Sequence, residues 1–129
     1  MAKSRTPREA SLYSLLLLLK RWRIPYNLQE IKAFLKDKNA IASEDLFLLL
    51  RETLKHPAQK KTLTVKDLKK LRFPAIVELT SGEHRLIEGC SSGGIAIKNP
   101  GNGHLEQIPS DLFQKAFSGV VIELKKQKK

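Results

Sequence analysis

Apolar residues crowd together in the first part of this chain and spread out in the second. From 12 to 19 every position is leucine or tyrosine except Ser14. Thr6, Pro7 and Glu9 stand before that run as a helix start. Threonine caps, proline takes the first helical position, where no amide donor is needed, and glutamate returns the capping bond. The pattern predicts a helix from 7 to about 23 that ends before Pro25. Because it is apolar on nearly every side, it is expected to be central and largely buried. Asn27 with Glu30 repeats the cap signature for a short helix to about 35. Ser43 opens a third helix to about 55, with Leu46, Phe47, Leu49, Leu50 and Leu54 on its buried side.

After Pro57 the spacing changes from helical to alternating. Residues 61–64 read as a strand, and Thr64 with Asp67 caps a helical turn. Strands are predicted at 75–80, 85–89, 95–98, 105–108 and 120–124, and Ser110 caps a last helix to about 117. The links at Ser81-Gly82, Ser91 to Gly94 and Asn99 to Gly103 are short enough to demand antiparallel pairing. Gly93-Gly94 and Asn102-Gly103 read as hairpin glycines adopting positive backbone angles. Helices first and an antiparallel sheet after make an α+β domain of two packed layers.

At 129 residues the chain supports one core and one domain. Lysine and arginine outnumber acids 24 to 13, a formal charge of +11, so the partners to expect are anionic. The single cysteine, Cys90, cannot form an internal disulfide, and His56, His84 and His104 are not spaced as metal ligands. No metal or cofactor is therefore expected. The longest leucine run, 15–19, stops at Lys20-Arg21, far short of the roughly 20 residues that span a bilayer.

Two segments carry a resemblance. Ser11-Leu12-Tyr13-Ser14-Leu15, followed by Asn27 and Glu30-Ile31-Lys32, resembles the first two helices of the papain-like peptidase domain at the N-terminus of bacterial ABC exporters. Phe73-Pro74-Ala75-Ile76-Val77, with Asn99-Pro100, Phe113 and Phe117-Ser118-Gly119, resembles its sheet half. The resemblance implies a papain-like fold over 1–124, N-terminal helices packed on a C-terminal antiparallel sheet. Residues 125–129 are then a basic tail or a linker to a following transmembrane domain. Active members cut a leader peptide after a double glycine, using a cysteine on the first helix, a histidine on a strand, an aspartate in the next turn and an oxyanion glutamine.

Carried onto this sequence, the resemblance puts Ala10 at the nucleophile, and a methyl group cannot attack a carbonyl. His84 falls at or beside the histidine, and Asn99 takes the aspartate's place. The glutamine position lies near Ser4, and the first glutamine is Gln29. Cys90 is no substitute nucleophile, since its place on a strand and its order after His84 are both wrong for a papain-like site. His84 thus reads either as a remnant base or as an ordinary strand-edge histidine.

Tyr13, Trp22, Arg23, Tyr26 and His84 are candidates to contact a substrate. Trp22, Arg23 and Tyr26 could grip an extended peptide through stacking and cation–π contacts, or could simply cover the helix end. The implied role is a non-catalytic module on the cytosolic side of the bacterial inner membrane, holding the unfolded substrate of a dimeric type I secretion transporter. Such substrates, adhesins or toxins with acidic calcium-binding repeats, are unfolded polyanions without calcium, and a +11 domain attracts them. The membrane would be met only through the parent transporter. The alternative is a basic nucleic-acid-binding domain, although no helix-turn-helix, aromatic-studded sheet or zinc spacing supports it.

Overall fold

Thr6 caps the first helix as predicted. Its Oγ1 accepts from the Glu9 N–H and its own N–H donates to the Glu9 carboxylate, both at 3.1 Å. Helix α1 then runs over Pro7–Arg21. The computed structural model describes residues 6–92, 94–99 and 102–126. Ser4, Gly93, Pro100 and tail positions 127–129, all named above, lie outside them. Asn27 caps α2 (Leu28–Leu35), its Oδ1 accepting from the Gln29 and Glu30 amides. The guanidinium of Arg8 donates to the carbonyls of Leu35 and Lys38, so α1 satisfies the open C-terminal end of α2.

The third helix departs from expectation at both ends. Ala42 holds the cap position, its N–H donating to the Asp45 carboxylate at 2.8 Å, so Ser43 is the first residue inside α3 (Ser43–Leu48). Its hydroxyl is thereby free to turn inward. The predicted continuation to 55 widens into a π-helical turn, Leu49–Thr53, and Leu46, Leu49 and Leu50 are all buried.

Six strands follow: β1 (Ala58–Thr62), β2 (Ala75–Leu79), β3 (His84–Ser91), β4 (Gly94–Lys98), β5 (Leu105–Ile108) and β6 (Phe117–Leu124). A 3₁₀ helix, Val65–Lys70, separates β1 from β2, and α4 (Ser110–Ala116) leads directly into β6. Every pair is antiparallel, in the order β1-β6-β2-β3-β4-β5. The first strand begins three residues before the predicted 61, directly after Pro57, and Phe117 opens the last strand instead of closing a helix. Gly94, at φ +127°, passes so near the Ile108 carbonyl that no side chain would fit, which bears out the hairpin reading at that glycine.

The sheet is buried on both faces, so the domain has three layers where two were expected. Ile76, Leu86, Ile122 and Leu124 face α1, α2, α3 and the π turn, packing with Leu15, Leu18, Leu35 and Leu50. Their neighbours Val77, Ile87, Ile97 and Val121 face the other way, under Leu68 of the 3₁₀ helix and Phe113 of α4. Strands apolar on both sides require two covers, and the short segments at 65–70 and 110–116 supply the second.

A bulge breaks this alternation in β3. Ile87 pairs with Ile97 and Gly89 with Ala96, leaving Glu88 as the extra residue. Glu88 stays on the α1 side, where both its oxygens accept from Nη1 of Arg21, at 2.6 and 2.7 Å. Beyond the bulge the phase reverses, and Cys90 joins the second core. Helix α1 therefore lies along β3. Ser11 meets His84 and Arg21 meets Glu88. Ten helical residues span about 15 Å and four strand residues about 13 Å, so the two elements keep step.

The fold also holds one residue past its predicted boundary. The Lys125 N–H donates to the Pro57 carbonyl, and the Lys125 carbonyl is 3.0 Å from Nε2 of His56. With Leu86 wholly buried between α1 and the sheet, Leu86→Ala should lower unfolding free energy by about 2–5 kcal/mol. Leu105→Ala, at a side chain 55% exposed, should change it by less than about 0.5 kcal/mol. Urea denaturation of both variants checks the contrast.

Candidate functional site

A helix that is apolar on most sides still carries two serines on the face that meets β3. Ser11 and Ser14, three residues apart, lie on one side of α1. They close around the first residue of β3. The His84 N–H donates to Ser11 Oγ at 3.0 Å, the Ser14 hydroxyl donates to the His84 carbonyl at 3.0 Å, and Ser11 Oγ lies 2.8 Å from His84 Nδ1. On the far side of the ring, Nε2 lies 2.8 Å from Ser43 Oγ, and the Ser43 hydroxyl donates to Glu78 Oε1 at 2.6 Å. Ser118 donates to the other Glu78 oxygen at 2.7 Å.

Proton directions follow from the end of this chain. The Glu78 carboxylate only accepts, so Ser43 gives its proton there and receives one from Nε2–H. Burial disfavours a second proton on the ring, so Nδ1 is bare and accepts from the Ser11 hydroxyl. The network thus assigns His84 as the neutral Nε2–H tautomer. Burial pushes its pKa below the ordinary 6.5, outweighing the attraction of Glu78 and Asp45 for a second proton. For Glu78, burial acts upward, but hydrogen bonds from Ser43 and Ser118 and the charge of Lys60 hold it below the ordinary 4.5.

Hydroxyl, imidazole, hydroxyl and carboxylate in sequence form a proton-relay geometry, yet this one is closed off. His84 is 0% exposed, Ser11 1% and Ala10 0%. The hydroxyl against the imidazole belongs to Ser11; Ala10 beside it contributes a methyl group. Asn99, just past β4, gives its amide to Glu106 Oε2 at 2.9 Å, while the His84 ring nitrogens are taken up by Ser11 and Ser43. Ala10 therefore lies next to the serine that holds His84, at the N-terminal end of α1, while the Tyr13 hydroxyl is so close to Gly103 that a Cβ there would sit 3.1 Å away.

The remaining candidates stand apart. Trp22 is twelve helical residues from Ala10, about 18 Å along the axis. Its indole N–H donates to the Pro74 carbonyl at 3.1 Å and its ring meets His56 edge-on, with centroids 6.0 Å apart. Tyr26 packs half-buried on the helix-side core, and Arg23 is exposed at φ +55°. Sequence reasoning missed Ser11, Ser14, Ser43 and Glu78. The available signal was a pair of serines on the face of a leucine helix that also buries Leu15 and Leu18, because buried hydroxyls need partners. Among the described residues, no three histidine, cysteine or acidic side chains gather as metal ligands.

Comparison with known proteins places this fold. The family described as Peptidase C39 matches residues 2–129. A double glycine motif protease from an AMS/PCAT transporter, solved in complex with the leader peptide, superposes with a TM-score of 0.80 at 17% identity, over 98% of this chain and 90% of that one. The peptidase domain of Streptococcus ComA, a bifunctional ABC transporter, gives 0.78 at 16%, over 98% and 97%. The peptidase C39-like domain of a Vibrio parahaemolyticus toxin secretion ATP-binding protein gives 0.73 at 16%, over 98% and 100%. Among curated proteins, none matches the sequence.

The buried imidazole makes stability depend on pH. Unfolded, His84 takes up a proton near 6.5; folded, it resists until lower pH, so the unfolded chain binds more protons and stability falls with acidification. Urea midpoints should drop between about pH 7.5 and about pH 5.5, and His84→Gln should flatten that slope. A flat wild-type profile would show that His84 is not held neutral. Ser11→Ala should destabilise the domain by about 1–3 kcal/mol, because Nδ1 and the His84 amide both lose their partner.

Proposed function

The chain belongs to the Peptidase C39 family, and on that premise we propose that it is a non-catalytic peptidase-like domain of a bacterial type I secretion ABC transporter, holding the unfolded exported protein near the channel. The observation that carries this reading is a buried histidine whose two ring nitrogens are committed to serines, with alanine at position 10, beside the first of those serines. Cysteine-type cleavage needs a thiolate and a base that can exchange protons with substrate. Ala10 offers no thiol, and the His84 imidazole is sealed.

The kind of partner follows from composition and from the neighbours. One structural neighbour holds a leader peptide, and another is part of a toxin secretion protein. A formal charge of +11 favours acidic partners, and an export substrate held unfolded without calcium exposes its acidic repeats along an open chain. Attraction of this kind raises association rates and leaves affinity modest and salt-sensitive, which suits a substrate that must be released. Among the described residues no helix is long and apolar enough to cross a membrane. In this reading the domain works on the cytosolic side of the inner membrane, carried by a dimeric transporter.

Two experiments test the proposal. A fluorogenic double-glycine leader peptide should remain intact at high domain concentration, and turnover would overturn the non-catalytic reading. Ala10→Cys alone should stay nearly inactive, because the imidazole remains engaged by Ser11 and Ser43. For binding, calcium-free acidic repeat fragments should give micromolar to millimolar titrations that weaken as salt rises from about 50 to about 300 mM. A flat titration at low salt, or tight binding to duplex nucleic acid at physiological salt, would sink the docking role.

A further inference from the structure

The sheet face opposite His84 carries a groove of about 950 Å³. Its floor is apolar. Cys90 and Ile95 are register partners across the β3–β4 hairpin, and Val65 and Phe117 complete the surface. Phe117 is backed by Phe113, ring centroids 5.2 Å apart and nearly parallel, so the floor is rigid. Its two banks differ. One carries Lys66 and Lys69 on the 3₁₀ helix; the other carries Ser110, Asp111 and Gln114 on α4. Neither Lys66 nor Lys69 forms an ion pair among the described residues, whereas Asp67, the acid between them, is turned to Lys70 and Thr64.

We infer that this groove is where the exported chain docks, as an extended segment with carboxylates at alternate positions and uncharged residues between them. The inference rests on the proposed export role and adds its place and its side-chain register. Residues three apart on a 3₁₀ helix eclipse one another with about 6 Å between them. Residues two apart on an extended chain lie about 6.6 Å apart on one side. An acid at every second position therefore meets Lys66 and Lys69 in step. The intervening side chains turn to the α4 bank, where Asp111 repels a carboxylate and the Ser110 hydroxyl and Gln114 amide accept an uncharged group. The volume lies at the upper end of the roughly 300–1,000 Å³ common for ligand sites, room for a few residues of extended chain.

Cys90 supplies the test, because it is the only cysteine in the chain and lines the floor. Burial raises its thiol pKa, so alkylation by iodoacetamide is slow and a change in rate is easy to read. The probes are a synthetic peptide alternating aspartate with serine and valine, and a peptide of the same composition with its aspartates in one block. The alternating peptide should slow Cys90 alkylation saturably, by about fivefold or more, and bind more tightly than the block peptide. Lys66→Glu with Lys69→Glu should weaken its binding at least about tenfold, while the same reversals at exposed Lys32 and Lys36 on the helix side should weaken it less than about threefold. Binding without Cys90 protection, or with equal loss from both pairs of reversals, overturns the groove and leaves the export role standing. Equal affinity for the two peptides overturns the register. Failure of every acidic unfolded peptide to bind overturns both proposals, and equal protection of Cys90 by a short single-stranded nucleic acid overturns the peptide assignment.

Discussion

The imidazole of His84 is held without charge where five elements converge, and the helix side of the fold is arranged around that neutrality. α1 supplies Ser11 and Ser14, α3 supplies Ser43, β2 supplies Glu78 and β6 supplies Ser118. One proton on the ring lets it accept on one side and donate on the other. A second proton on Nδ1 would strip the Ser11 hydroxyl of its acceptor at a site where both residues are buried. Long-range position is thus fixed by a few directional bonds, set among leucines that pack without direction.

How much of this was readable from sequence depended on distance along the chain. Caps lie within three residues of what they cap, so Thr6, Asn27 and the helices they open were legible, as were turns marked by glycine. Ser43 misled for the same reason. A serine before an apolar run resembles a cap, but Asp45 satisfies the open amide and the hydroxyl is used 41 residues away, at His84. The π turn, which buries Leu49 and Leu50, has no local signature. The second cover on the sheet was missed because its helices are only six and seven residues long. The strand alternation itself was informative, since Ile76-Val77 and Leu86-Ile87 are adjacent apolar pairs that cannot all face one side.

The chemistry around His84 was hidden in the sequence. Ala10 is the chain neighbour of Ser11, whose hydroxyl lies 2.8 Å from His84 Nδ1. What surrounds the ring could not be read, because Ser11 and His84 are 73 residues apart and a serine carries no mark of its partner. Trp22 shows the opposite difficulty. Its chemistry suited peptide binding, but its indole N–H and ring are taken up by Pro74 and His56.

The sheet acts as a partition, with successive residues of each strand assigned to different compartments, and the bulge at Glu88 is the one step in β3 where that assignment changes hands. In chain length it amounts to a single residue. In space it is a half-turn, leaving Glu88 with Arg21 and reversing the alternation beyond it, so that Cys90 enters the other compartment. A lineage that lost or gained one residue here would keep the strand, the hairpin and the composition, yet exchange the inner and outer surfaces of its tip. Alignments that slide a gap freely along 86–90 would therefore equate residues that never occupy the same side of the molecule.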